Sequence, residues 1–122
     1  MNLQESGQMY LETILVLSKE LPAVRSIDVV EHMGYSKPSV SRAMSLLKSG
    51  GFIRVDEDGY ITLTEDGRQV AETIFERHNV LTRALMMLGV DSETANEDAC
   101  RMEHAISDQS IAAIKNFIEK QV

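Results

Sequence analysis

The residues best suited to chemistry in this 122-residue chain lie close together, near its C-terminus. Cys100, Glu103 and His104 are spaced at positions i, i+3 and i+4, which project from one face if the segment is helical. A thiolate, a carboxylate and an imidazole on one face suit a transition metal, because the first and last are soft-to-borderline donors and the carboxylate adds negative charge. A buried thiol beside a solvated Glu–His pair is the alternative interpretation.

Three further candidate ligands occur elsewhere in the chain. Met9 and Glu12 are one turn apart in the first predicted helix, and His78 lies in a long predicted helix in the middle of the sequence. Each also has an ordinary structural interpretation: Met9 as a core methionine, Glu12 as a solvated carboxylate and His78 as a surface residue. Metal binding is favoured because Met9, Glu12 and His78 occur in the same chain as the cluster of Cys100, Glu103 and His104.

An enzyme is the other chemistry that Cys100 and His104 suggest, with the thiol as nucleophile and the imidazole as base. No Gly-rich turn or oxyanion-type loop accompanies the pair, and no third residue is placed to orient the base. We therefore predict that the chain is not an enzyme.

The composition restricts the protein class. Apolar residues make up 43% of the chain and charged residues 25%, which is typical of an ordered, helix-rich globular protein. No run of about 18 apolar residues is present, which argues against a membrane span, and the N-terminus does not resemble a signal peptide. The single cysteine cannot form an internal disulfide. We therefore expect a cytoplasmic protein without a membrane partner.

The net charge of −7 argues against indiscriminate binding to nucleic acid, but the charge is unevenly distributed. Residues 1–50 carry five basic and five acidic side chains, whereas residues 65–122 carry six basic against eleven acidic ones. A DNA-reading front followed by an acidic, cation-attracting C-terminal half is one arrangement that gives this distribution.

The elements that must position these residues begin with three predicted helices. Apolar residues recur at helical spacing over residues 3–19. Ser26 is the predicted N-cap of a short helix, and Ser36 caps a second one with Pro38 in its first turn, where a missing N–H costs nothing. The two short helices are joined at Gly34, which indicates a helix-turn-helix.

A predicted hairpin follows directly. Residues 52–55 and 60–63 have the alternation of strands, and Asp58-Gly59 between them is the strongest short hairpin signal. A hairpin directly after a helix-turn-helix indicates a winged helix.

The C-terminal half is predicted to be helical. Thr64 caps a helix over about residues 65–88, a further helix covers roughly 92–105, and Ser107 caps a last one. The fold class is therefore mainly α, with a winged helix-turn-helix domain over residues 1–72 and a helical metal-binding and dimerisation domain over 73–122. Because so small a second unit buries little surface, we expect a homodimer, a metal or both to stabilise it.

The chain resembles the metal-dependent repressors of the diphtheria toxin repressor type, which include the manganese transport regulators. The resemblance covers nearly the whole chain, through SGQMYLETI, SKPSVSRAMSLLKSGGFI, DGYITLTEDGR and DACRMEHAISD, the last of which holds the family's Cys-x-x-Glu-His ligand motif. It implies a homodimer that binds double-stranded operator DNA and represses metal-homeostasis genes when Fe²⁺ or Mn²⁺ is plentiful.

The resemblance also implies a set of metal ligands. Four positions match the iron-type primary site and two match positions used by the manganese-type proteins: Met9, Cys100, Glu103 and His104, and then Glu12 and His78. Thr82 and Asn96 replace two ligands of the iron-type second site, so we do not expect that site in its iron-type form. The soft donors favour Fe²⁺ over Mn²⁺, which prefers oxygen ligands, and Co²⁺, Ni²⁺ or Zn²⁺ are expected substitutes in vitro.

The same resemblance places the second short helix in the major groove of DNA. Candidate base and phosphate contacts lie at its N-terminal end and just before the first short helix: Ser36, Lys37, Pro38, Ser39, Ser41 and Arg42, and then Arg25 and Ser26. A metal bound by ligands from both domains would set the spacing of two such helices in a dimer. The alternative function is a metal-independent winged-helix regulator that responds to a small organic ligand or a protein partner.

Overall fold

The computed structural model describes residues 4–121, which form six α-helices and one two-stranded antiparallel sheet. In chain order these elements are α1 (Glu5–Glu20), α2 (Ser26–Met33), α3 (Lys37–Ser49), β1 (Ile53–Val55), β2 (Ile61–Leu63), α4 (Glu65–Met87), α5 (Ser92–Met102) and α6 (Asp108–Lys120). The chain divides into two compact units, Met1–Glu72 and Thr73–Val122. The predicted architecture, a winged helix-turn-helix followed by helices, is confirmed.

The first unit is built around the buried face of α1. Leu11 and Ile14 are fully buried there, together with Val29 of α2 and Val40 of α3. The Ser36 hydroxyl accepts a hydrogen bond from the Ser39 backbone N–H and so caps α3, as predicted. Burial of one face of α3 leaves its polar face outward.

The wing consists of β1, β2 and the loop between them. Ile53 pairs with Leu63 and Val55 with Ile61. The Asp56 carboxylate accepts the backbone N–H groups of Asp58 and Tyr60, both at 2.9 Å, which closes the turn beside Gly59. Gly59 has a φ of +83°, a conformation that glycine adopts without strain.

The start of α2 differs from the prediction by one residue. Arg25 is the N-cap and Ser26 is the first helical residue. The backbone N–H of Arg25 donates to the Asp28 carboxylate at 2.8 Å, so a carboxylate within the first turn fixes the helix start instead of the serine hydroxyl.

The second unit consists of most of α4 together with α5 and α6, and both α5 and α6 begin with a well-formed cap. Asp91 accepts the Thr94 N–H at the start of α5, and Ser107 accepts the Ser110 N–H at the start of α6. No helix within residues 4–121 combines the length and apolar character needed to cross a membrane.

The end of α5 also differs from the prediction. The helix ends at Met102 rather than near residue 105, and Glu103 is its C-cap. Residues 103–105 form a turn, in which the N–H of Ala105 donates to the Met102 carbonyl. Glu103 still has helical dihedral angles and donates its N–H to the carbonyl of Ala99, so it stays one turn after Cys100, whereas His104 lies in the turn.

A close backbone approach at the start of α4 predicts one sensitive position. A Cβ atom on Gly67 would lie 1.9 Å from the carbonyl oxygen of Phe52, a backbone atom that cannot move independently. We expect Gly67→Ala to destabilise the first unit by about 2 kcal/mol in urea unfolding, because either the start of α4 or the backbone at Phe52 must shift. Gly50→Ala is the control, because its nearest neighbour is the ring of Phe52 at 3.1 Å. Equal stability of the two variants would contradict the prediction.

The Asp91 carboxylate that caps α5 is expected to contribute to the loss of protein stability in acid. Hydrogen bonds from the backbone N–H and hydroxyl of Thr94 lower the pKa of Asp91 below its ordinary value of 3.8. The stabilisation is therefore present above that value and is lost as the pH falls through the lower pKa of the folded state. We expect Asp91→Asn, which keeps an N-cap oxygen, to reduce the drop in melting temperature between about pH 5 and pH 3. Glu97→Gln on the same helix is the control, and an identical acid response in both variants would contradict the cause.

Candidate metal centre and DNA-binding surface

The centre of the second unit is a fully buried carboxylate between two imidazoles. Glu103 is 0% exposed, and its Oε2 lies 2.8 Å from Nδ1 of His78 while its Oε1 lies 3.4 Å from Nε2 of His104. His78 comes from the middle of α4, whereas Glu103 and His104 come from the turn after α5. Folding of this unit therefore brings together three of the six predicted metal ligands.

The environment of Glu103 fits a cation. Burying an isolated carboxylate costs several kcal/mol unless a positive charge compensates it. Within residues 4–121, Oε1 of Glu103 accepts no hydrogen bond, although it is completely buried. A carboxylate oxygen and imidazole nitrogens are ligands that Fe²⁺, Mn²⁺ and Zn²⁺ all accept. The residues of this unit thus match the chemistry of a divalent metal.

The second ring nitrogen of His78 is also held. Its Nε2 lies 2.7 Å from Oδ1 of Asn96 on α5. A hydrogen bond between Nε2 and this amide oxygen fixes the orientation of the ring and so holds Nδ1 facing Glu103. Asn96 therefore orients the imidazole, a role that the sequence did not predict, because the resemblance marks this position only as a replaced ligand.

The remaining predicted ligands lie on two helices. Cys100 is on α5, one turn before Glu103, and is half-buried. Met9 and Glu12 are on α1 in the first unit, one turn apart, and both are half-buried.

The predicted DNA-contacting residues of α3 lie at its N-terminal end. Ser36, Lys37, Pro38, Ser41 and Arg42 are exposed. Ser39 is half-buried, and the hydroxyl of Ser36 donates to the hydroxyl of Ser39 at 2.9 Å. The Ser36 hydroxyl therefore caps α3 and is bound to that of Ser39, while the positive charges at positions 37 and 42 are exposed.

The two candidate contacts before α3 are exposed at the start of α2. The guanidinium of Arg25 lies 4.6 Å from the ring centroid of Tyr60 in the wing, a cation–π contact. Ser26 beside it is exposed. The contact with Tyr60 therefore restrains Arg25. The tip of the wing, residues 56–58, is acidic.

Both units match models of known protein families. The model of the iron dependent repressor N-terminal DNA binding domain matches residues 2–66, and that of the iron dependent repressor metal binding and dimerisation domain matches residues 64–121. The two matches together cover almost the whole chain and confirm the resemblance found in the sequence.

Individual relatives agree with this result. The transcriptional regulator MntR of Escherichia coli O6:H1 is 32% identical over 111 residues, covering 91% of this chain and 72% of MntR. The iron-dependent repressor IdeR of Mycobacterium tuberculosis is 33% identical over 107 residues, covering 87% of this chain and 46% of IdeR.

A solved structure gives the same answer at the level of the fold. The structure of a manganese-dependent transcriptional repressor in complex with manganese superposes with a TM-score of 0.84 at 29% identity, covering 93% of this chain and 52% of that one. The chain thus spans about half the length of IdeR and of this structure. Because the matched family models and relatives together cover both units, the chain belongs to the family of metal-dependent repressors that combine a DNA-binding domain with a metal-binding and dimerisation domain.

Proposed function

We propose that the chain is a transcriptional repressor of metal-homeostasis genes that binds operator DNA when a divalent cation occupies the centre around Glu103. The observation that carries this proposal is the buried Glu103 carboxylate between the imidazoles of His78 and His104. A bound cation supplies the positive charge that this carboxylate needs in its buried environment. The protein is proposed to act in the cytoplasm and not to be an enzyme.

The proposed ligand set has two parts. His78, Glu103 and His104 are supported by their geometry in the second unit. Met9, Glu12 and Cys100 are proposed from the resemblance to the repressor family. Control of DNA binding requires that the cation bind one arrangement of the protein more tightly, because equal affinity for two arrangements shifts nothing.

Fe²⁺ is the proposed physiological metal, with Mn²⁺ next. Among the similar proteins, one is described as iron-dependent and another as manganese-dependent. The thioether of Met9 and the thiolate of Cys100 favour the softer ion, since Mn²⁺ prefers oxygen donors. Co²⁺, Ni²⁺ and Zn²⁺ are expected to substitute in vitro.

DNA recognition is proposed to use the exposed end of α3. Lys37 and Arg42 supply positive charge there, while Pro38 offers apolar contact to a thymine methyl group. Arg25, restrained by Tyr60, is the proposed phosphate contact beside the wing. The acidic wing tip is expected to contribute little to the grip on the DNA backbone.

A homodimer is proposed to form through an apolar groove in the second unit. The groove encloses about 520 Å³ and is lined by α4, α5 and α6. Leu88 and Phe117 on this surface are 80% and 63% exposed, which is unusual for large apolar side chains. A second copy of the chain is the proposed occupant, in agreement with the dimerisation domain of the family.

The test is operator binding measured by fluorescence anisotropy on DNA from the chain's own promoter region. We expect tight binding with Fe²⁺ under anaerobic conditions, weaker activation by Mn²⁺ and loss of binding with a chelator. Arg42→Ala is expected to lose DNA affinity by about tenfold while binding the metal normally. Cys100→Ala/His104→Ala is expected to lose the response to metal.

Two results would count against the proposal. Operator binding that is unaffected by the chelator would favour the metal-independent regulator instead. Stronger activation by Mn²⁺ than by Fe²⁺ would overturn the metal preference and leave the repressor function in place.

A further inference from the structure

Arg77 links α4 to the turn after α5 and to the start of α6. Its Nη1 donates to the backbone carbonyl of Ile106 at 2.7 Å and to that of Glu103 at 3.2 Å. Its Nη2 is paired with the carboxylate of Asp108. The Arg77 side chain is only 13% exposed, so these partners hold it inside the unit.

The carbonyls that Arg77 binds lie where the helical hydrogen bonding of α5 comes to an end. Because α5 ends at Met102, the carbonyl groups that follow lack the partners of a continuous helix. The same segment carries Glu103 and His104, and Arg77 directly precedes His78 on α4. Arg77 therefore holds the backbone that runs from the candidate ligands Glu103 and His104 to the start of α6. It also lies next to the third candidate ligand, His78, in the sequence of α4.

The chemistry of arginine suits this task. Its planar guanidinium presents several N–H donors in a fixed geometry, which allows one side chain to bind two carbonyls and a carboxylate together. A lysine carries the same charge on a single nitrogen and cannot reproduce that arrangement.

We propose that Arg77 is a positioning residue for the metal centre, fixing the 103–106 turn so that Glu103 faces His78 and His104 lies beside Glu103. This inference rests on the proposed metal-binding function. Residues that orient metal ligands typically change metal affinity by about 10- to 100-fold when they are replaced.

A matched control is present in the same unit. Lys115 of α6 donates to Glu76 of α4 at 2.6 Å and so joins the same two helices. Both side chains are about half exposed. Lys115→Met therefore removes one α4–α6 link while leaving the contacts of Arg77 with the turn in place.

The experiment is an anaerobic Co²⁺ titration of the full chain, followed by absorption spectroscopy. We expect Arg77→Met to weaken Co²⁺ binding by at least about tenfold and to alter the visible absorption bands, which report ligand geometry. Arg77→Lys should recover part of the affinity, and Lys115→Met should retain both the affinity and the spectrum of the unsubstituted protein.

Hydrogen exchange of the metal-free protein provides a second readout. In Arg77→Met, and to a smaller extent in Arg77→Lys, the amides of residues 103–107 should exchange faster, whereas those in the middle of α4 should not. Lys115→Met should leave exchange in the turn unchanged. If Arg77→Met does not fold, the Co²⁺ affinity of Arg77→Lys is compared with that of the unsubstituted protein instead.

The outcomes separate the two proposals. Unchanged Co²⁺ affinity and spectrum in the Arg77 variants, with a normal response of the unsubstituted protein, would overturn the positioning role alone. Equal losses in Arg77→Met and Lys115→Met would reduce that role to general stability. Failure of the unsubstituted protein to bind Co²⁺ would instead overturn the metal-binding function, and the inference with it.

Discussion

Replacing Glu103 with glutamine is expected to abolish cation-dependent operator binding and to weaken metal affinity by about a hundredfold or more. The amide keeps the size of the carboxylate but removes the negative charge that is buried between His78 and His104. A divalent cation then has no charge to neutralise at the centre of the site. Metal titration and anisotropy of labelled operator DNA measure the two effects.

The thermal stability of the metal-free Glu103→Gln variant should not fall, in contrast to its metal affinity. A buried neutral amide costs less free energy than a buried carboxylate, so metal-free Glu103→Gln should melt no lower than the metal-free unsubstituted protein. Glu97→Gln, on the exposed side of α5, is the control and should leave metal and operator binding unchanged. A normal metal response in Glu103→Gln would contradict the role of this carboxylate.

Phe117→Asp is expected to convert the protein into a monomer, raising the dimer dissociation constant by about a thousandfold. Phe117 lines the apolar groove of the second unit and is 63% exposed in the single chain. A carboxylate at this position would lose its hydration if the groove were covered by a second copy. Sedimentation velocity over a concentration series measures the dissociation constant.

The control for this prediction is the neighbouring position on the same helix. Asn116→Asp adds the same charge at an exposed residue next to the groove and should leave the dimer intact. Phe117→Asp should also lower the affinity for operator DNA, because a monomer presents one recognition helix where a dimer presents two to two half-sites. A Phe117→Asp protein that remains dimeric would place the interface elsewhere.

Local signals in the sequence predicted the helices and the hairpin of the first unit, with an error of one residue at the start of α2. Ser36 with Pro38 predicted the start of α3, and Asp58-Gly59 predicted the turn of the wing. Such signals act over a few residues, through a cap, a preset φ or a glycine in a left-handed turn, so they do not depend on distant parts of the chain. The one-residue error at Ser26 arose because the N–H of Arg25 is bound by the nearby Asp28 carboxylate, a competing local cap.

The end of α5 required tertiary information. Continuing the helix to about residue 105 is compatible with the spacing of Cys100, Glu103 and His104, yet the helix ends at Met102. The carbonyls of Glu103 and Ile106 are bound by Arg77, which is 26 and 29 residues away in the chain. No local rule predicts a partner at that separation.

By itself, the sequence determined which candidate metal ligands stand in the Cys-x-x-Glu-His segment and that a winged helix precedes them, because residue types and short-range capping depend only on consecutive positions. The tertiary structure alone decided that Glu103 is fully buried, that His78 faces it at 2.8 Å and that Asn96 holds the other side of this imidazole. Those contacts join residues separated by 18 to 25 positions. They exist because packing of α4 against α5 and the following turn brings these positions together.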